Sequence, residues 1–201
     1  MRNIINVGRQ FGSGGKLIAL ELGEKLSIKV YDNELISKAA EESGFNKELF
    51  IKRDENRSLF SGSIFFDSGR YNIANNYLND NELFIIQSNI IKSIADKENA
   101  IFLGRCSNYI LRDRPCLNIF IKSPLEVRKA RVASRSNISL EEAESLILKQ
   151  DRTREAYYNY FSFGNWGSAS NYDLCIDSSK LDIKSAADFI IDFGKKSVLL
   201  K

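Results

Sequence analysis

The chain of 201 residues contains no histidine, two prolines, one tryptophan and one methionine. Its three cysteines, Cys106, Cys116 and Cys175, are widely spaced and form no C-x-x-C pair. Together these absences exclude a zinc site and a histidine-based catalytic dyad. An odd number of scattered thiols fits the reducing cytoplasm better than a disulfide framework. Two prolines leave few rigid turns. No apolar run approaches the roughly 20 residues of a membrane span, and no charged-then-apolar leader opens the chain, so neither a membrane helix nor a signal peptide is expected. Acidic and basic residues nearly balance at a net charge of +3, which gives no argument for a nucleic-acid partner. What remains, 43% hydrophobic and 27% charged, is the composition of an ordinary globular domain long enough for a full core.

The most informative stretch lies at the start. Asn3 to Val7 reads as a short strand, Gly8-Arg9-Gln10-Phe11-Gly12-Ser13-Gly14-Gly15-Lys16 as a glycine-rich turn, and Leu17 to Leu26 as a helix. This strand–loop–helix unit cradles phosphate. Glycines let successive backbone N–H groups point into one concavity, the helix start adds partial positive charge, and Lys16 adds a mobile full charge. The strict pattern G-x-x-x-x-G-K-[ST] is matched incompletely. Gln10 holds the first glycine position, Leu17 holds the hydroxyl position, and Ser13 is the nearby hydroxyl. The alternative is a glycine-rich turn without a ligand.

Further along, residues 28–31 read as a second strand, and Asp32-Asn33 cap a helix to about Ser43. Asn46 is expected to cap a short helix through Arg53. Ser58 to Asn81 shows no clear periodicity, as in a functional lid or a disordered segment. Leu83, Ile86, Ile90, Ile91 and Ile94 set a helix from Asn81 to Lys97. Ala100 to Leu103 and Leu117 to Ile121 are strands. Helices are expected from Leu125 to Arg135, behind Ser123-Pro124, and from Ser139 to about Tyr160. A last strand, Tyr172 to Ile176, precedes an amphipathic helix from Ile183 to Phe193. Short apolar strands alternating with helices imply a five-stranded parallel sheet covered on both faces, with ligands at the carboxyl ends of the strands.

Several charged residues have a chemical reading. Arg128, Arg131 and Arg135 share one helix face, where they would neutralise polyphosphate or simply face solvent. Asp32 at a strand end could hold a substrate hydroxyl or a hydrated metal, or be a helix N-cap. Arg105 follows a buried strand, so it must face the crevice or find a partner. Asp151 could orient Arg154, accept from a nucleobase amine, or make a local ion pair. The aromatic group Tyr157, Tyr158, Tyr160, Phe161, Phe163 and Trp166 reads as core and interface packing more readily than as a stacking platform for bases.

The order of these motifs resembles the cytidylate kinase-like family of P-loop nucleoside monophosphate kinases over almost the whole chain. The resemblance rests on the glycine loop of residues 8–16, on Val30 to Ile36, on Phe102-Leu103-Gly104-Arg105-Cys106 through Leu111, and on Asp151-Arg152-Thr153-Arg154. It implies a three-layer α/β/α P-loop fold comprising residues 1–201, with an acceptor-binding insertion near 37–81 and a lid near 128–154. It also implies ATP as donor with Mg2+, a small-molecule acceptor (CMP or dCMP first), and no nucleic-acid or membrane partner. Gly12, Ser13, Gly14, Gly15, Lys16 and Leu17 would hold the donor phosphates. Asp32, Arg105, Asp151 and Arg154 would face the acceptor, and Lys16, Arg131 and Arg135 would act in catalysis, with no protein metal ligand assigned. Three departures stand out. Leu103 and Cys106 replace two carboxylates of an Asp-Gly-Arg-Asp segment, Leu17 replaces the loop hydroxyl, and Ile147 replaces an arginine, with Lys149 close by. They leave open a different small acceptor, or a weakly catalytic nucleotide sensor.

Overall fold

The computed structural model describes residues 2–42 and 73–200. The helix expected from Asn46 to Arg53 lies outside the described residues, as does most of the 37–81 insertion. Five strands form one parallel sheet in the order β2-β3-β1-β4-β5: β1 is Ile4–Arg9, β2 Lys29–Tyr31, β3 Ala100–Leu103, β4 Leu117–Lys122 and β5 Leu174–Asp177. The helices are α1 (Gly15–Leu26), α2 (Asn33–Glu42), α3 (Ile73–Lys97), α4 (Ser107–Ile110), α5 (Leu125–Ser136), α6 (Leu140–Ser162) and α7 (Ile183–Lys196).

Strand alternation decides which layer each side chain enters. Ile5 and Val7 of β1, Ile101 and Leu103 of β3, and Leu117, Ile119 and Ile121 of β4 pack with Ile18, Ala19 and Leu22 of α1 and Ala186, Ala187 and Ile190 of α7. Ile4, Ala100 and Phe102 face the opposite layer, against Ile36 of α2, Ile86, Ile90 and Ile91 of α3, and Ile110 of α4. A third cluster joins α5 to α6, where Val132, Ala143 and Ile147 are buried with Phe11 packed against them. The α6 terminus is a full capping box: Glu142 N–H donates to Ser139 Oγ at 3.1 Å and Ser139 N–H donates to Glu142 Oε2 at 2.9 Å.

One expectation is corrected: the helix expected from Asn81 begins at Ile73. The four-residue α4 is an additional element for which the sequence carries no expectation. The register pairs Val7 with Leu103 and Arg9 with Ile121, so β1, β3 and β4 present their carboxyl ends along one edge.

Candidate active site at the strand ends

β1 delivers the chain into the loop of residues 10–14, and α1 starts at Gly15. Gly14 is the N-cap residue at φ 77°, and Gly12 has the same φ. A Cβ on Gly12 would also come within 2.9 Å of Val132 Cγ2 and 3.1 Å of Arg128 Cβ, so only glycine lets the loop pass beneath α5. The first helical bond runs from Ile18 N–H to Gly14 C=O at 3.1 Å. The helix therefore leaves the amides of Gly15, Lys16 and Leu17 unsatisfied, with the positive end of its dipole behind them. Ser13 serves the loop from within: its buried hydroxyl donates to Gln10 C=O at 2.8 Å. Gln10 in turn joins β4, its N–H donating to Ile121 C=O at 3.0 Å and its Oε1 accepting from Ser123 N–H at 3.0 Å.

Lys16 Nζ lies 3.0 Å from Asp32 Oδ2, and its side chain is 63% exposed. Asp32 also accepts from Leu35 N–H at 3.2 Å, so it caps α2 and holds the lysine at once. Burial pushes its carboxyl up, yet the bond from Lys16 and the backbone amides outweigh this and hold it below the ordinary value.

On the other side of β1, Arg9, Arg105 and Arg154 converge on a cavity of about 60 Å³ that Asn33, Gly104 and Tyr157 also line. Gly104, Arg105 and Cys106 are successively left-handed, at φ 78°, 57° and 54°. Two consecutive non-glycine residues in that region store backbone strain, here spent on turning β3 sharply into α4. Arg105 sits 5.2 Å from the Tyr157 ring. Arg154 donates to Arg9 C=O at 3.1 Å and lies 5.3 Å from the Phe11 ring. Burial pushes Arg154 down to about 10, against Asp151 and helped by Arg135. Burial, then Arg154 and Arg105, push Arg9 down to about 9 against the opposing pull of Asp32. Burial, against the opposing pull of Arg105, drives the Cys106 thiol up to about 12 and favours its neutral form.

The α5–α6 hairpin grips the loop from behind. Arg128 and Asp151 form an ion pair at 2.5 Å, with side chains only 8% and 15% exposed. Asp151 also accepts from Phe11 N–H at 2.7 Å, and Arg128 donates to Phe11 C=O at 3.2 Å. Arg131 donates to Ser13 C=O at 3.2 Å and to Ser178 Oγ and C=O at 3.0 and 2.8 Å. Arg135 lies 5.4 Å from the Phe11 ring. The structure thus brings Lys16 and Asp32 together beside the loop, and Arg105 and Arg154 together at the cavity. Asp151 stands apart, making a local ion pair with Arg128 and supporting the loop. Arg9 and Phe11 were not singled out from the sequence. Arg9 carries the same signal as Arg105, a charged residue ending an apolar strand, whereas Phe11 carries none.

The sequence profile of the cytidylate kinase-like family matches residues 4–180. Similar curated proteins include cytidylate kinase of Methanocaldococcus jannaschii, 26% identical over 93% of this chain and 94% of that one. Cytidylate kinase of Methanopyrus kandleri is 27% identical over 88% and 85%, and that of Sulfolobus acidocaldarius is 32% identical over 53% and 58%. Among solved structures, an uncharacterised protein of Eubacterium ventriosum superposes with a TM-score of 0.73 at 29% identity, covering 96% of this chain and 98% of that one. Shikimate kinase of Bacteroides thetaiotaomicron shares the fold at a TM-score of 0.55 and 14% identity, covering 96% and 98%. With a glycine loop, a lysine and an arginine-lined cavity at the strand ends, and a profile match along most of its length, the chain belongs to the cytidylate kinase-like family and is a phosphotransferase of the P-loop kinase fold.

Proposed function

We propose that the chain transfers the γ-phosphoryl group of ATP to a nucleoside monophosphate, with CMP or dCMP as the first acceptor. The observation that carries this reading is adjacency: a helix start with three unsatisfied amides and Lys16 lies across β1 from a cavity lined by three guanidinium groups. One half suits a triphosphate tail and the other an anionic acceptor. The donor phosphates would lie on the amides of Gly14 to Leu17, with Lys16 leaving Asp32 for a phosphate oxygen. Arg105 and Arg154 would hold the acceptor. An acceptor phosphate oxygen forms a bond to the γ-phosphorus as the bond to the β-bridging oxygen breaks, and ADP leaves. Positioning and charge neutralisation then do most of the catalysis. Arg135 beside Phe11, and Arg131 behind Ser13, add positive field along the loop.

Among the described residues magnesium finds no protein cage. No three acidic, cysteine or histidine side chains gather among them, and Leu17 offers no hydroxyl. The ion would be carried on phosphate oxygens and water, with Asp32 the carboxylate at hand. A different small anionic acceptor is the second reading, favoured by apolar Leu103 and the neutral Cys106 thiol in the cavity wall where the family pattern has carboxylates.

The test is ADP release from Mg-ATP with a panel of nucleoside monophosphates and small hydroxy and carboxy acids. Acceptor-dependent release, greatest with CMP or dCMP, is expected. Release with a non-nucleotide alone selects the second reading, and ATP binding without release for any acceptor overturns both.

A further inference from the structure

Arg9 is the last residue of β1, paired in register with Ile121 of β4. Two glycines make room for its side chain. A Cβ on Gly15 would stand 2.7 Å from Arg9 Cβ and 3.2 Å from Cγ, and one on Gly104 would overlap Nη1. The stem therefore lies under the first residue of α1, and the guanidinium lies at the strained turn after β3. The side chain spans the gap between the phosphate loop and the arginine-lined cavity.

Its electrostatic setting is unusual. Among the described residues the Arg9 guanidinium has no hydrogen-bond partner in the structure, while its backbone carbonyl is fixed by Arg154. Arg154 and Arg105 are its like-charged neighbours, and Asp32 is the opposing charge. Asp32 is already committed to Lys16 and Leu35. A half-buried guanidinium held against two others without a bonded carboxylate is costly, and a flexible side chain free to leave would turn to water. The space that Gly15 and Gly104 leave open admits it at this position. Three converging forks of fixed N–H donors match a tetrahedral dianion far better than a neutral hydroxyl.

We propose that Arg9 is a substrate-binding residue whose guanidinium spans from the donor loop to the acceptor and holds the acceptor's phosphate dianion together with Arg105 and Arg154. This rests on the reading of the cavity as the acceptor site, and it commits the acceptor to carrying a phosphate monoester.

The probe is inorganic phosphate, titrated calorimetrically into the full chain presaturated with β,γ-imido-ATP. Arg9→Met keeps the stem under Gly15 and removes the fork. Phosphate affinity should fall about tenfold or more in Arg9→Met and less in Arg9→Lys, which keeps a charge without the fork. The affinity for β,γ-imido-ATP should change by less than about threefold, because the loop amides are untouched. If Arg9→Met does not fold, Arg9→Gln and Arg9→Lys are read in its place. Equal phosphate affinity in wild type and variant overturns the proposal, as does equal loss of both ligands or no phosphate binding by the wild type at millimolar concentration. Failure to bind β,γ-imido-ATP counts instead against the nucleotide reading, and the phosphate titration of the free protein still reads Arg9.

Discussion

Lys16 is held by one carboxylate at 3.0 Å while most of its side chain faces solvent, so its ammonium group can leave Asp32 for an incoming phosphate at little cost. An exposed pair of this kind adds little stability. Lys16→Ala should therefore lower phosphoryl transfer by about 10² to 10³ or more while leaving Tm within about 2 °C. ADP release and thermal unfolding on the same preparation check this, and retained turnover removes the proposed role. Asp32 makes a pH-dependent contribution of defined sign. Its carboxyl is held below the ordinary value in the folded chain, so its stabilisation is present above the unfolded pKa and is lost as pH falls through the folded one. Asp32→Asn should accordingly be less stable than wild type at neutral pH and should show a shallower decline of Tm below about pH 4. A decline as steep as that of the wild type would contradict the assignment. Gly12→Ala should cost about 1–3 kcal/mol in denaturant unfolding, since it combines a left-handed φ with a Cβ pressed against Val132 and the α5 backbone.

Among the elements, the α5–α6 hairpin does more than offer cations. Arg128 and Asp151 close a buried pair that grips both backbone polar groups of Phe11, and the Phe11 ring packs against the Val132, Ala143 and Ile147 cluster. Removing one partner strands a buried charge. Asp151→Ala should cost about 3–5 kcal/mol, a loss of roughly 6–20 °C in Tm for a chain of this size. Replacing both members with apolar residues of similar volume, as in Arg128→Met with Asp151→Leu, should recover much of that loss. Additive losses in the double variant would contradict the buried-pair description. Both helices were legible because their signals are local: Pro124 before α5, and Ser139 with Glu142 opening α6. The start of α3 was not. Residues 75–81 include Asn75, Asn76, Asn79, Asp80 and Asn81, residue types that favour caps and turns, and this hid a helix beginning at Ile73. α4 is too short for any periodicity. The tie between Asp151 and Phe11 joins positions 140 residues apart, so no local pattern could disclose it.

At the scale of the whole molecule, the parallel order β2-β3-β1-β4-β5 places the loop after β1 between the Gly104 turn after β3 and Ser123 after β4. The apolar strands and the loop glycines made the sheet and the phosphate loop readable from the chain alone. The convergence of Arg9 with Arg105 and Arg154 required the fold, because β1, the turn after β3 and α6 supply one arginine each. No described helix is long and apolar enough to cross a membrane. Ligand binding to the native state should show as mass-action stabilisation, about 2.7 kcal/mol at one hundred times Kd of β,γ-imido-ATP, or roughly 5–10 °C in Tm. The most direct measurement is an assigned amide 15N spectrum recorded while β,γ-imido-ATP is added. The resonances of Gly14, Gly15, Lys16 and Leu17 should move together and saturate with the nucleotide, and the shifts should shrink in Lys16→Ala. Nucleotide binding that leaves those four amides where they were, or no binding at all, would contradict a phosphate site at the start of α1.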